Sequence, residues 1–430
     1  MPEAEDTALD AAMRLAGRLF DELATETSAA PGVTRIAYGP GERLAFSAVA
    51  AAARNWDAEI AFDCAGNQFI TLPGRDRSAR ILIGSHLDSV PHGGNFDGAA
   101  GVIAGIAAQS MFTQGGLVPE VDITVACLRA EESCWFPHSY IGSKTALGIL
   151  DPAVLDTMRR SDTGRTLAEH MAEEGFDPDG IRQGQQLFAL GSILAYVEPH
   201  IEQAPVLVRA DCPIGVVTGI RGSFRYRTIR CRGEYAHSGA TPLKLRRDAV
   251  LASARLVTAL QEIWRAREAG GDDLTITVGQ ISTDAMHHSF SKVAGEVTLS
   301  LDVRSQHVPT LQAVEADLLR LVGEIERETG TAFDLGERSG SNPALMSGGL
   351  VEMMSQACEK LGVSAPLMGS GAGHDAATFA NAGVASVMLF IRNRNGSHNP
   401  DEHMDLADFE ITLQVLFDML RQPADRWRHL

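Results

Sequence analysis

His86 and Asp88 stand two residues apart in the run Gly84-Ser85-His86-Leu87-Asp88-Ser89-Val90, and Asp97 follows in the glycine-rich stretch Gly94-Asn95-Phe96-Asp97-Gly98. Further along come the adjacent pair Glu131-Glu132, then His200 and His398. Imidazole nitrogen and carboxylate oxygen together suit zinc, manganese, cobalt or nickel. A carboxylate can span two ions, and Asp97 is the natural bridge in its loop. Two neighbouring carboxylates such as Glu131 and Glu132 repel, and something cationic must offset them. Taken singly, each histidine reads more simply as a surface or core residue. The joint pattern points instead to a centre holding two divalent metal ions and performing hydrolysis, with Asp88 placed to orient the His86 ring.

Such ligands need rigid elements to hold them. The apolar run over 80–84 ends in glycine and reads as a strand buried on both faces, as do 121–128, 193–197 and 385–391. Helices are expected over 11–30, 44–55, 97–111 and 349–360. His86, Glu132, His200 and His398 all follow expected strands, and ligand sites in open α/β sheets gather at the carboxyl ends of strands. The character changes near Asp211. Strands are expected over 228–232, 274–281 and 297–303, with helices over 247–267 and 311–328. In 297–303, Val297, Leu299, Leu301 and Val303 share one face while Thr298, Ser300 and Asp302 share the other. The fold class is therefore α/β: a catalytic domain with a mixed sheet and helices on both faces, formed by 1–211 and 340–430. Residues 212–339 form an inserted, smaller α+β domain.

Composition bounds the rest. The 430 residues exceed one typical domain, and 37 Lys+Arg against 55 Asp+Glu give a net charge of −18. That balance argues against a nucleic-acid or anionic-membrane partner. None of the six cysteines forms a C-x-x-C pair, which suits free thiols in a reducing compartment. The first ten residues are acidic and lack a signal-peptide pattern. The expected location is the cytoplasm.

At this point the chain resembles the di-metal aminoacylase and carboxypeptidase superfamily. The branch is that of N-carbamoyl-L-amino acid hydrolases, allantoate amidohydrolases and β-ureidopropionases. The resemblance rests on the segments already quoted, on His200-Ile201-Glu202-Gln203, His237-Ser238-Gly239-Ala240-Thr241-Pro242 and Leu245-Arg246-Arg247-Asp248-Ala249, and on Asp302-Val303-Arg304, Gly371-Ala372-Gly373-His374-Asp375 and Ser397-His398. It implies one metal held by His86 and His200, a second held by Glu132 and His398, and Asp97 between them. Zinc is the first expectation, with manganese, cobalt or nickel as alternatives. It further implies Glu131 as general base. The inserted domain becomes a lid and dimerisation domain, and His237 reaches the partner subunit's active site in a homodimer.

Substrate-side residues follow in the same way. An imidazole such as His237 can donate to an oxyanion. Arg304 ends the alternating strand, and a guanidinium can bind a carboxylate bidentately; the resemblance implies that it does. Gln203 and His374 match family positions that contact substrate. Ser291 takes the place of a common asparagine, and a hydroxyl is shorter with one donor where an amide has two. Ala204, Cys134-Trp135 and Arg221 also depart from the usual pattern. The expected reaction is metal-dependent hydrolysis of a linear C–N bond in a small carboxylate-bearing N-carbamoyl (ureido) amino acid or related ureide. An N-acyl-amino-acid deacylase or dipeptidase shares the ligand set. A catalytically silent binding protein would show erosion of Glu131 or a ligand, and none is seen.

Overall fold

The computed structural model describes residues 2–430, with side chains from Glu5 onward. The chain divides into two compact units: Met1–Thr218 with Leu345–Met368 and His374–Leu430, and Gly219–Ala344 with Gly369–Gly373.

The first unit is built on a nine-stranded mixed sheet. Its spatial order is Glu59–Phe62, Gln68–Leu72, Val121–Leu128, Asp76–His86, Ile193–Ile201, Ser386–Ile391, Ile214–Ile220 and Ala344–Leu345, with Leu367–Ser370 also paired to Ile214–Ile220. The central strands run parallel: Asp76–His86 pairs with both Val121–Leu128 and Ile193–Ile201, and Ser386–Ile391 extends the set. Val121–Leu128 and Ser386–Ile391 are buried along their whole length, as strands covered on both faces must be. Period-two alternation sorts their side chains. Ile81, Ile83, Ala195, Val197, Val387 and Leu389 join one large apolar core with the helices Pro2–Glu26, Ala99–Gln114, Gly348–Lys360 and Leu406–Leu420. Tyr196 instead stacks on Phe379 of the helix Asp375–Asn381, with ring centroids 4.0 Å apart. A second cluster, including Trp135, Phe136, Leu155 and Met171, seals the segment after Val121–Leu128.

The second unit is an antiparallel six-stranded sheet carrying two helices. Glu296–Ser305 and Gly222–Arg232 are its centre, flanked by Ile281–Thr283 and Ala332–Asp334. The expected alternation is present: Val297, Leu299, Leu301 and Val303 are buried. They pack with Leu256 and Leu260 of the helix Ala249–Ala269 and with Val314 and Leu318 of Val308–Thr329. Each such apolar side chain contributes about 1.5–3 kcal/mol on burial. Asp248 caps the first of these helices, its carboxylate accepting from Val250 N and Leu251 N, a contact worth about 1 kcal/mol.

One expectation needs correction. The strand read over 274–281 is two short ones, Thr275–Thr277 and Ile281–Thr283, both paired to Glu296–Ser305. Between them the Ser300 hydroxyl takes the Gln280 amide at 3.1 Å, replacing a ladder bond. Among the described residues no helix is long and apolar enough to cross a membrane.

Candidate metal centre and active site

His86 is the last residue of Asp76–His86, and His200 lies at the end of Ile193–Ile201, so both sit inside their strands. Asp97 precedes the helix Ala99–Gln114, and its backbone carbonyl accepts from Ala99 N at 2.7 Å. The three converge: Asp97 Oδ1 lies 3.5 Å from His86 Nε2 and 3.2 Å from His200 Nε2.

The outward nitrogens settle what this cluster can accept. His86 Nδ1 meets the Asp88 carbonyl at 3.0 Å, and His200 Nδ1 meets the Ile201 carbonyl at 2.9 Å. A carbonyl only accepts, so each Nδ1 carries hydrogen. In the neutral rings both Nε2 lone pairs then aim at Asp97 Oδ1. That oxygen is buried without a hydrogen bond. The Gly98 amide donates to His200 Nε2 at 3.2 Å, which also marks that nitrogen as an acceptor. Three electron-rich atoms facing one another require a cation, and the donor set fits a divalent metal.

A second group shares Asp97. His398 Nε2 is 3.5 Å from Asp97 Oδ2 and 3.2 Å from Glu132 Oε1. Candidate metal-holding sets are therefore His86, Asp97 and His200, and Asp97, Glu132 and His398. The first is deeply buried, whereas the His398 side chain is 49% exposed, so solvent reaches the centre from its side. His398 is aimed by a turn in which Asn395, Gly396 and His398 all have positive φ. Left-handed backbone at a non-glycine residue costs about 1–3 kcal/mol and clusters at functional sites. Gly98 is held open for a different reason: at φ +65° a Cβ there would meet the His86 ring at 2.5 Å.

Glu131 and Glu132 are presented by one carboxylate. Asp88 Oδ1 accepts the Glu131 amide and Oδ2 the Glu132 amide, each at 3.1 Å. Asp88 thus orients the His86 ring mainly through its backbone carbonyl, while its side chain fixes the two glutamates. Glu132 then faces His398, and Glu131 Oε2 lies 3.9 Å from His86 Nε2.

Charge crowding shows in the proton affinities. Burial, together with Glu132, Asp375 and Asp88, pushes the Glu131 carboxyl well above its usual range against the pull of His86. Burial opposes protonation of His86, yet Glu131, Asp88 and Asp97 hold its pKa well above the ordinary imidazole value. Burial would raise Asp97, but His200 and His86 keep it well below. The hydrogen bond to Glu132 lifts His398 to about 9. Protons and a metal would compete for the same nitrogens.

Gln203 Nε2 donates to Asp97 Oδ2 at 2.8 Å, at the edge of the second group. His374 is buried with its ring 4.5 Å from that of His200, and burial, then the charge of His200, holds its pKa well below the usual value. His237, Ser291 and Arg304 belong to the second unit. His237 is paired with Lys292, and Ser238 N donates to Ser291 O at 3.0 Å, so Ser291 stands just before the strand Lys292–Val293 that adjoins His237. Arg304 forks onto Asp302, with Nη2 2.8 Å from Oδ2, and gives Nη1 to the Gly371 carbonyl at 2.8 Å. Arg221 is clamped by Asp273 and Thr275, and Trp135 is a core residue donating to Ser89 O at 2.7 Å.

Several supporting residues carried no signal in the sequence. Glu402 accepts the Phe96 and Asp97 amides at 2.8 and 3.2 Å, and Ser397 bridges Glu402 to Asp97 Oδ2. Glu198 takes the Ser85 hydroxyl and the Ala376 amide, both at 2.7 Å. Only Ser397-His398, among these, stood in a recognisable motif.

Comparison with known proteins shows the family. Residues 82–422 match the model of peptidase family M20/M25/M40. The chain is 33% identical over 396 residues to an N-carbamoyl-L-amino acid amidohydrolase of Geobacillus stearothermophilus, covering 91% of this chain and 94% of that one. It is 33% identical over 410 residues to an allantoate amidohydrolase of Escherichia coli, covering 92% and 94%. A hydantoinase/carbamoylase-family amidase from Burkholderia multivorans superposes with a TM-score of 0.85 at 28% identity, covering 96% and 98%. The chain belongs to the M20/M25/M40 peptidase family, and it is a hydrolase.

Proposed function

We propose that this M20-family hydrolase is a two-metal ureidohydrolase. It converts an N-carbamoyl amino acid, or a closely related ureide, and one water to the amino acid, carbon dioxide and ammonia. The observation that carries the reading is the bridged ligand set with Glu131 beside it: two candidate metal groups share Asp97, and one Asp88 carboxylate holds both glutamates. The relatives named N-carbamoyl-L-amino acid amidohydrolase and allantoate amidohydrolase support this substrate class.

His86 and His200 would hold one ion, Glu132 and His398 the other, with Asp97 between. Zinc is favoured, with manganese, cobalt or nickel as alternatives. When bound, two such ions polarise the scissile carbonyl and lower the pKa of water. Glu131 accepts a proton from the attacking water and passes it to the leaving nitrogen. His237 donates to the developing oxyanion. Arg304 binds the substrate carboxylate, with Gln203, His374 and Ser291 completing recognition.

The second unit serves as lid and dimerisation domain, and the enzyme works as a cytoplasmic homodimer with His237 acting in the partner's site. Leu243, Leu245, Met286 and Phe290 are exposed apolar residues around His237 and Ser291, as an interface would need. Mixing His237→Ala with Glu131→Gln chains should restore activity in heterodimers; no recovery, with heterodimers shown to form, would remove the trans role.

The central experiment strips the metal, resupplies zinc, manganese or cobalt, and measures ammonia release from N-carbamoyl L-amino acids and allantoate beside N-formyl and N-acetyl amino acids and dipeptides. Metal-dependent ammonia from the ureides is expected. Cleavage confined to the acyl or peptide substrates would overturn the ureide reading in favour of a deacylase or dipeptidase.

A further inference from the structure

Arg35 is fully buried ahead of the helix Pro40–Ala53, and among the described residues it forms no ion pair. A buried charge without a partner costs several kcal/mol, so its contacts must explain its presence. Every one of them reaches a segment carrying the ligand set. Nε donates to the Leu87 carbonyl at 2.7 Å, between His86 and Asp88. Nη1 and Nη2 donate to the Asn95 side-chain and backbone oxygens at 3.2 and 3.4 Å, two residues before Asp97. The Arg35 amide donates to Ser89 Oγ and its carbonyl accepts from Ser89 N, both at 2.9 Å. Asn95 in turn donates to the Phe20 carbonyl at 2.9 Å. Glu402, Asp97, Asp88 and Glu132 supply the surrounding negative field.

We propose that Arg35 is a positioning residue of the metal centre: its planar fork ties the His86–Asp88 segment to the Asn95–Asp97 loop and so fixes the spacing of His86, Asp97 and the Asp88-held glutamates. This rests on the metal-dependent reading above. A lysine retains the charge but offers a point donor in place of a fork, and it cannot hold both segments. Disturbing the groups that orient metal ligands costs about 10–100-fold in metal affinity.

The test compares zinc dissociation constants, by competition with a chromophoric chelator, for metal-stripped wild type, Arg35→Lys, Arg35→Met, Asn95→Ala and Leu413→Ala. Leu413 is a fully buried core residue on the helix Leu406–Leu420, and its truncation lowers stability without touching the tie. Both Arg35 variants should bind zinc about 10–100-fold more weakly, and Asn95→Ala more weakly by a smaller factor. Leu413→Ala should keep wild-type affinity despite a lower melting temperature. Wild-type affinity in Arg35→Lys, or an equal loss in Leu413→Ala, would overturn the proposal. If neither Arg35 variant folds, Asn95→Ala decides, and unchanged affinity there overturns it. A wild type that binds no zinc would instead sink the metal reading, and this inference with it.

Discussion

The two units hold their polar residues in opposite ways. In the first, His86, Asp97, Glu131, Glu132 and His200 are buried; backbone carbonyls hold the two histidine rings, the Asp88 carboxylate holds the glutamate amides, and Gln203 and Ser397 hold Asp97. In the second, His237 and Ser291 are exposed and Arg304 is only partly covered. Buried charge is costly and is kept where chemistry needs a dry, rigid field. Exposed charge costs little and can adapt to a ligand. Under the proposed function, damage to Glu131 or the metal ligands of the first unit should fall on kcat, and damage to Ser291 or Arg304 of the second on KM.

The hardest blow to that division is removal of metal. Chelation should abolish turnover and lower the melting temperature, and zinc or manganese should restore both; activity that survives exhaustive chelation would break the comparison at its root. Next comes Glu131→Gln, expected to lower kcat by about 10²–10⁴-fold with metal content unchanged by elemental analysis. Arg304→Lys should fall mainly on KM. A lost charged hydrogen bond of about 1.5–3 kcal/mol corresponds to roughly 10–100-fold in kcat/KM, and a loss confined to kcat would move Arg304 across the divide. Restoring asparagine at Ser291 should change relative rates among substrates only a few-fold; unchanged ratios would remove Ser291 from specificity.

The smallest effect is in pH. The folded pKa of His398, at about 9, lies above its unfolded value. Its contribution to stability is therefore complete below about pH 6.5 and lost as pH rises through 9. The melting temperature of metal-stripped protein should fall across that window, and metal-loaded protein should fall less, because metal would replace the proton on the same nitrogen.

Much of the catalytic unit was legible because its signals are local. Continuous apolar runs marked the parallel strands, period two marked Glu296–Ser305, and His86, Asp97, Glu132, His200 and His398 come together as a set. What stayed hidden depends on partners remote in the chain. Glu402 serves the Phe96 and Asp97 amides some three hundred residues earlier, and Arg35 serves Leu87 and Asn95. Backbone amides and carbonyls leave no residue-type signature, so no spacing announced them. Asp88 illustrates a middle case. Its proximity to His86 was visible, but the use of its carboxylate was set by a turn at Ala130, with φ 51°, that re-aims the chain after Val121–Leu128.

The position of Ser386–Ile391 has a consequence for biosynthesis. This strand is made after both of its neighbours, yet it lies between Ile193–Ile201 and Ile214–Ile220 in the middle of the sheet. A nascent chain on the ribosome must keep that slot unfilled, with unpaired strand edges on both sides, until Ser386–Ile391 has emerged. His398 follows the same strand, so the second ligand group cannot assemble before that strand has been made. Nascent chains halted before Ser386 should be open to proteolysis and to capture by chaperones.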